Sequence, residues 1–173
     1  MWYTTDRGEN FYKTELKDEP NKLNLQMLDF HPSRPDWLLF MASTPCPGCH
    51  SITYFSSDNG KNWKEIETWA EKCIFGRDTD FKVSDDIIFC KSYKDKNSKI
   101  TQDVLGGRSS ETNPLQFVKI EDKGDKRKVL LNDDVIEFFI FNEFMAVAKV
   151  GSNIGFCEYI IPFSLEKKIY FLF

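Results

Sequence analysis

This chain of 173 residues has only two histidines, no Asn-x-Ser/Thr sequon and no block of like charge. The missing sequon is neutral, and the other shortages each remove a class of function. The most apolar stretches, 135–150 and 154–173, are broken by Glu137, Asn142 and Glu143 and by Glu158, Glu166, Lys167 and Lys168, so neither reads as a membrane span of about 20 apolar residues. Gly106-Gly107 is followed by no lysine and opens no helical pattern, which removes a phosphate-binding loop. The 23 Lys and Arg against 27 Asp and Glu leave a net charge of −4 spread along the chain, so a nucleic-acid partner has no electrostatic basis. The one dense basic cluster, Lys126-Arg127-Lys128, sits beside Asp122, Asp125, Asp133 and Asp134 and reads as the solvated rim of a hairpin. Trp2-Tyr3-Thr4-Thr5-Asp6 offers neither the basic start nor the apolar run of a signal peptide. His31 and His50 lie beside turn residues, outside any triad motif, and no residue is assigned a catalytic role.

What is abundant is aromatic: 16 Phe, 6 Tyr and 4 Trp, in runs with β-branched residues that outnumber any helical pattern. The length suits one domain, and the leading fold class is all-β. A repeat gives this class its form. Thr4-Thr5-Asp6-Arg7-Gly8-Glu9-Asn10-Phe11 and Ser56-Ser57-Asp58-Asn59-Gly60-Lys61-Asn62-Trp63 share the pattern Ser/Thr-x-Asp-x-Gly-x-x-aromatic, an Asp-box. A third copy, from Ile120 through Asp122 and Gly124 to Arg127, keeps Asp-x-Gly but has lost the hydroxyl and the aromatic. The pattern reads as a hairpin turn. The carboxylate caps turn amides, glycine takes the positive φ, the hydroxyl ties the entry, and the aromatic packs onto the next strand. The residues assigned this structural role are Thr4, Asp6, Gly8, Phe11, Ser56, Asp58, Gly60, Trp63, Asp122 and Gly124.

Turns roughly 50 residues apart suit the four-stranded blades of a β-propeller, whose repeats run to about 40 to 50 residues. The expected architecture is therefore a partial propeller of roughly two to three blades. Residues 2–16 form the outer hairpin of one blade; 25–30, 37–41, 52–56 and 63–67 are the strands of the next; 72–75, 86–91, 115–121 and 127–130 those of a third. Segment 95–113, polar and glycine-rich, is expected as a long exposed loop. Strands at 135–141 and 144–149 begin a fourth blade that lacks its outer pair. The domain division is 1–150 for the partial propeller and 151–173 for an atypical tail outside the fold, such as translated intron; the alternative for the tail is a terminal strand pair near 156–161 and 168–173.

Of the five cysteines, Cys46, Cys49, Cys73 and Cys90 fall close together and Cys157 stands apart. Cys46-Pro47-Gly48-Cys49-His50 has the opening of a zinc site, but Cys73 and Cys90 supply no second close pair, and no metal is assigned. Nothing helical follows to depress a thiol pKa for redox chemistry. Two disulfides tying the loop at 45–49 to the strands of Cys73 and Cys90, blade to blade, are the expected use; four cysteines permit three pairings, left open.

These residues resemble the luminal domain of sortilin-type sorting receptors, including the fungal vacuolar carboxypeptidase Y sorting receptor family. The likeness rests on Trp2 to Gly8; on Leu28-Asp29-Phe30-His31-Pro32 with Pro35-Asp36-Trp37-Leu38-Leu39-Phe40; on Cys49 to Trp63; on Cys73 with Ile87-Ile88-Phe89-Cys90; and on Val135 to Phe139 with Asn142 to Ala148. It covers roughly residues 2–150. The resemblance implies a ten-bladed ring on the luminal side of the Golgi and endosome system. That ring binds soluble cargo proteins or propeptides, such as carboxypeptidase Y-like hydrolases, and reaches the membrane only through later parts of a longer chain. It implies no enzyme activity and no cofactor. Binding then comes from strand edges, apolar pockets and loops, with 95–113 a candidate contact surface and no ligand-binding residue assigned. The alternatives are an Asp-box glycosidase of sialidase type, which needs an arginine cluster and a tyrosine nucleophile, and a truncated product without function.

Overall fold

Strand propensity and the repeated turns divide the chain into hairpins, and the computed structural model is built from them. It describes residues 2–4, 6–14, 16, 18–20, 27–45, 50–76, 84–93, 115–132, 135–141, 144–150, 156–162 and 169–171, with side chains through residue 132 and those of Val135 and Phe138. Among these residues are fifteen strands and one short 3-10 turn, Asp122–Gly124. Strands β1 (Trp2–Tyr3) and β2 (Tyr12–Lys13) make a two-stranded hairpin around the first turn. The second sheet contains β3 (Glu19–Pro20), β4 (Leu28–Phe30), β5 (Leu38–Ser43), β6 (Ser51–Ser56) and β7 (Lys64–Thr68), with β3 and β4 both pairing β5. The third runs in chain order through β8 (Ala70–Phe75), β9 (Ile88–Tyr93), β10 (Leu115–Glu121) and β11 (Lys126–Leu131). The fourth does the same through β12 (Val135–Phe141), β13 (Phe144–Val150), β14 (Phe156–Pro162) and β15 (Ile169–Phe171). All neighbours are antiparallel, as in the successive blades of a partial β-propeller.

Sheets covered on both faces need strands that are apolar on both faces; β5 meets that demand with five consecutive buried apolar residues, and β9 with three, Ile88 to Cys90, followed by buried Lys91 and Ser92. Between the second and third sheets, Trp37, Leu39, Phe55 and Ile66 meet Cys73, Phe75, Ile88, Cys90, Val118 and Ile120. Between the third and fourth, Ile87, Phe89, Leu115 and Phe117 meet Val135 and Phe138, with the Phe117 and Phe138 rings 4.9 Å apart. Burying an aliphatic or phenyl side chain contributes about 1.5–3 kcal/mol, so these two layers hold the sheets in sequence. The link between the second and third sheets is the single residue Trp69, at φ 63°. Its N–H donates to the Ser51 carbonyl at 2.7 Å, its carbonyl accepts from Tyr93 N–H at 3.0 Å, and its indole stacks on His50 at 4.6 Å.

Three expectations change. Cys73 and Cys90 do not reach back to the 45–49 loop; they are bonded to each other across β8 and β9, where they are register partners with Cα atoms 4.2 Å apart, the close spacing of a non-hydrogen-bonded antiparallel pair. This bond lies within one blade, and it takes both sulfurs away from any zinc site. Cys46 and Cys49 lie outside the described residues, as does the expected loop at 95–113. The fourth blade, expected without its outer pair, has one: β14 follows β13 in register from Phe156 to Pro162, and β15 pairs β14. Phe11 does not pack onto a following strand but is 62% exposed, on a hairpin of two described strands.

Candidate functional site

The three turns share part of a backbone conformation, with Asp122 of the third left-handed as well at φ 52°, and have two side-chain solutions. In each, the residue after the aspartate and the glycine are left-handed: Arg7 58° and Gly8 91°, Asn59 60° and Gly60 80°, Lys123 54° and Gly124 95°. In each, the N–H three residues on donates to the aspartate carbonyl: Glu9 to Asp6, Lys61 to Asp58 and Asp125 to Asp122. In the first turn the Thr4 hydroxyl donates to Asp6 Oδ1 at 2.8 Å and accepts from Gly8 N–H at 2.9 Å, while Asn10 donates its backbone N–H to Oδ1 at 2.9 Å and its side-chain amide to Oδ2 at 2.6 Å. Ser56, Asp58, Gly60 and Asn62 repeat those bonds at the same four distances. Asn10 and Asn62 are thus members of the motif that the sequence reading passed over, although the shared Asn four residues after the aspartate was its visible signal.

These donors set the acid chemistry of the turns. The Asn10 amides and the Thr4 hydroxyl hold the Asp6 carboxyl down at about 2, against an ordinary 3.8. At Asp58 burial pushes the pKa up, but the Asn62 amides and the Ser56 hydroxyl outweigh it and the net shift is downward. A depressed folded-state pKa contributes stability above the unfolded value and loses it as pH falls through the folded one. Asp6→Asn is therefore expected to be less stable than wild type at neutral pH, with the gap closing as pH falls from 3.8 to about 2. Chemical denaturation at stepped pH measures this; a gap unchanged at the acid end would mean that the carboxylate charge is irrelevant to the turn.

The third turn, lacking both hydroxyl and Asn, is held from outside. Asp122 N–H donates to Asp86 Oδ2 at 2.9 Å, and Asp122 Oδ2 pairs with Lys126, at the Asn offset, at 2.5 Å. The Ser84 hydroxyl and the Asp122 amide hold the Asp86 pKa below the ordinary value against the effect of burial. The turn then docks on β7 of the preceding sheet. Arg127, at the offset of the lost aromatic, donates from Nε to Glu67 Oε2 at 2.7 Å and from Nη2 to Oε1 at 2.9 Å, and Lys64 Nζ reaches Asp125 at 2.6 Å. Arg127 was expected on a solvated rim; its guanidinium instead closes over a buried carboxylate. A Cβ on Gly124 would stand 2.3 Å from Ile66 Cγ2, whereas one on Gly8 meets only Phe11 at 3.8 Å. Gly124→Ala is expected to cost about 2 kcal/mol, from the positive φ plus displacement of Ile66, and Gly8→Ala about 1 kcal/mol from φ alone. Equal losses in urea melts would show that the third turn does not bear on β7.

Between these elements lies an open cleft of about 510 Å³, lined by Arg34 and Trp37 of the β4–β5 loop, Ser84, Asp85 and Asp86 of the β8–β9 loop, and Asp122 and Lys123 of the third turn. Arg34 and Lys123 lie 5.0 and 5.6 Å from the Trp37 ring centroid, and Arg34 is 3.9 Å from Asp85. His31, expected as a plain loop residue, is buried beneath this cleft. Ser33 N–H donates to its Nδ1 at 3.2 Å, so its Nε2–H donates to the Asp85 carbonyl at 3.0 Å, and its ring meets Trp37 and Phe75 edge-on. The phenylalanine on β8 also ties the sheets through its N–H, which donates to Asp29 Oδ2 at 3.3 Å. The cleft is a junction of two blades, built of charged groups that mostly hold one another. Of the five arginines that a sialidase-type site would draw on, Arg77 and Arg108 lie outside the described residues; among the described ones Arg7 sits on the first turn, Arg34 on this cleft and Arg127 on Glu67, and these three do not converge. Among the described residues no three His, Cys, Asp or Glu side chains form a group fit for a metal ion, and no helix is long and apolar enough to cross a membrane.

Residues 1–159 match the Sortilin-Vps10 family model, described as sortilin, neurotensin receptor 3. The chain is similar to proteins called vacuolar protein sorting/targeting protein 10: 34% identical over 156 residues to that of Blastomyces gilchristii, and 31% to that of Paracoccidioides brasiliensis, in each case over 88% of this chain and 10% of the relative. With that of Mycosarcoma maydis the identity is 29% over 154 residues, 86% of this chain. The chain spans about a tenth of the length of these relatives. A match over this much of the chain, on successive antiparallel sheets three of which contain the repeated turn, shows that it belongs to the sortilin–Vps10 family.

Proposed function

We propose that this chain supplies blades to the luminal propeller of a sorting receptor that carries soluble hydrolases from the Golgi to the endosome or vacuole. The observation that carries the reading is the family match along successive blades, together with relatives named for vacuolar protein sorting and targeting. The cargo is a folded protein or propeptide of carboxypeptidase Y type, taken by loops and strand edges on a ring of ten blades, and the luminal side is the place of action. The turns built on Asp6, Asp58 and Asp122 are structural Asp-boxes whose carboxylates serve their own hairpins and leave cargo contact to other surfaces. The membrane is reached through other parts of a longer chain. The propeller takes in at least 1–150. The in-register pairing of β14 and β15 favours including the terminal strands in the fourth blade over leaving 151–173 as a tail.

The experiment is surface plasmon resonance with the full chain immobilised and the precursor and mature forms of a fungal carboxypeptidase Y passed over it. Saturable binding of the precursor at micromolar concentration, weaker for the mature enzyme, is expected. No binding of either form by folded chain sinks the reading for these blades, and hydrolysis of a fluorogenic sialoside would favour the glycosidase alternative instead. Ending the chain after Val150 tests the boundary. If β14 and β15 belong to the blade, the truncated chain exposes the β13 edge and loses solubility; unchanged solubility and melting would restore the tail.

A further inference from the structure

Asn59-Gly60, in the second turn, is the one Asn-Gly step in the chain. The turn itself demands it: residue 59 sits at φ 60° and residue 60 at φ 80°, and asparagine and glycine bear that conformation at least cost. The other two turns fill the same places with Arg7-Gly8 and Lys123-Gly124, which carry no side-chain amide. Asn-Gly is also the step at which a backbone most readily attacks its own side chain, because no Cβ shields the glycine nitrogen. Here that nitrogen is restrained. Gly60 is buried and its N–H donates to Ser56 Oγ at 2.9 Å, which keeps solvent base from its proton. Asn59 N–H donates to the Asp36 carbonyl at 2.9 Å, and a Cβ on Gly60 would stand 3.1 Å from Trp63 Cζ2 and 3.5 Å from Leu38 Cδ1. The pair is therefore fixed until the end of the hairpin opens, although Asn59 itself is exposed.

We propose that Asn59 is a site of spontaneous deamidation gated by its own turn: closed in the native hairpin, reactive when the turn opens, and ending in an isoaspartate that the Asp-box cannot hold. On opening, solvent hydroxide removes the Gly60 amide proton and the nitrogen attacks Asn59 Cγ. The N–Cγ bond forms, the Cγ–Nδ2 bond breaks, and ammonia leaves with a proton taken from water. Water then opens the resulting succinimide at one of its two carbonyls. Attack at Cγ gives aspartate with the backbone as it was, so the turn closes again. Attack at the backbone carbonyl gives isoaspartate, whose chain runs through Cβ and Cγ and is longer by one methylene. Three bonds of the turn span that point: Gly60 N–H to Ser56 Oγ, Lys61 N–H to the Asp58 carbonyl and Asn62 N–H to Asp58 Oδ1. The added length breaks them. None of this depends on what the blades bind.

Peptide mapping by mass spectrometry, on the full chain aged in mildly alkaline buffer with and without urea, tests this. Isoaspartate at residue 59 is expected to form about tenfold or more slowly in the native chain than in urea. Ser56→Ala removes the acceptor of the Gly60 proton and is expected to raise the native rate about two- to tenfold. Equal rates in buffer and urea, or a Ser56→Ala chain no faster than wild type, overturn the proposal. Should Ser56→Ala fail to fold, Arg7→Asn places the same step in the first turn, where Gly8 N–H donates to Thr4 Oγ at 2.9 Å. Adding Thr4→Ala to it must then speed deamidation, and an unchanged rate overturns the gate. The isoaspartate and aspartate forms of the aged chain are also separated and compared by hydrogen exchange. Faster exchange where β6 and β7 meet the turn is expected in the isoaspartate form alone; equal exchange in the two forms would show that the turn accommodates both.

Discussion

Replacing Arg127 by alanine is expected to cost about 3 kcal/mol, more than twice the cost of replacing its partner Glu67. The asymmetry follows from where the two charges sit. Glu67 is 5% exposed on β7, and both its oxygens accept hydrogen bonds from the Arg127 guanidinium. Arg127 lies nearer the surface, so that water can take over its donors. Removing the arginine strands a carboxylate that water reaches poorly, whereas removing the glutamate leaves a cation that water solvates. The pair joins β7 of one blade to β11 of the next, so the loss should also appear as uncoupling of the two sheets. Lys64 to Asp125, the other bridge across this joint, has both partners exposed and contributes about 0–1 kcal/mol. Urea melts of Arg127→Ala, Glu67→Ala and the double variant decide the matter. A double variant as unstable as Arg127→Ala alone would mean that the cost is not the stranded carboxylate, and equal single losses would make the pair an ordinary surface bridge.

What could be read in the sequence was local. Thr4 with Asp6 and Ser56 with Asp58 announce their turns because every bond in those turns closes within four residues, so composition and spacing carry the geometry. Strand positions were equally legible, since runs such as 38–42 and 87–90 have too few polar residues to lie anywhere but between covered faces. The pairing of Cys73 with Cys90 was not legible: it depends on the register of β8 against β9, set by sheet packing beyond the reach of spacing. Arg127 was misread for the same reason, because a basic residue among exposed lysines differs from them only through Glu67, sixty residues earlier. His31 and Trp69 look like loop residues in sequence and are, by backbone; that one is buried and the other carries the chain between blades follows from Trp37 at the far end of the His31 loop, Phe75 on β8 and Ser51 on β6. The degenerate third turn is the instructive case. Losing its hydroxyl, Asn and aromatic looks like decay until Gly124 is seen against Ile66 and Arg127 on Glu67, where the motif's own bonds are exchanged for bonds to a neighbouring blade.

Converting Cys73 and Cys90 together to alanine is expected to lower stability by about 3 kcal/mol, because the bond closes a loop of 17 residues and an untied unfolded chain regains that closure entropy. For a domain of this size the melting temperature should fall by about 6–12 °C. Both cysteines are fully buried between the second and third sheets, so a reductant meets the bond only when the third sheet opens. Dithiothreitol alone should therefore act slowly on the native chain and quickly in mild denaturant. The bond's place within one blade makes a further demand that a bond between blades would not. Hydrogen exchange after reduction should quicken first at β8 and β9, from Ala70 to Phe75 and Ile88 to Tyr93, while β5 and β6 keep their protection until the sheet itself is lost. Should β5 and β6 exchange first, the link that matters would run between blades, as the spacing of the cysteines had implied, and the stability of this joint would rest on sulfur instead of on Arg127, Gly124 and the packed faces of two sheets.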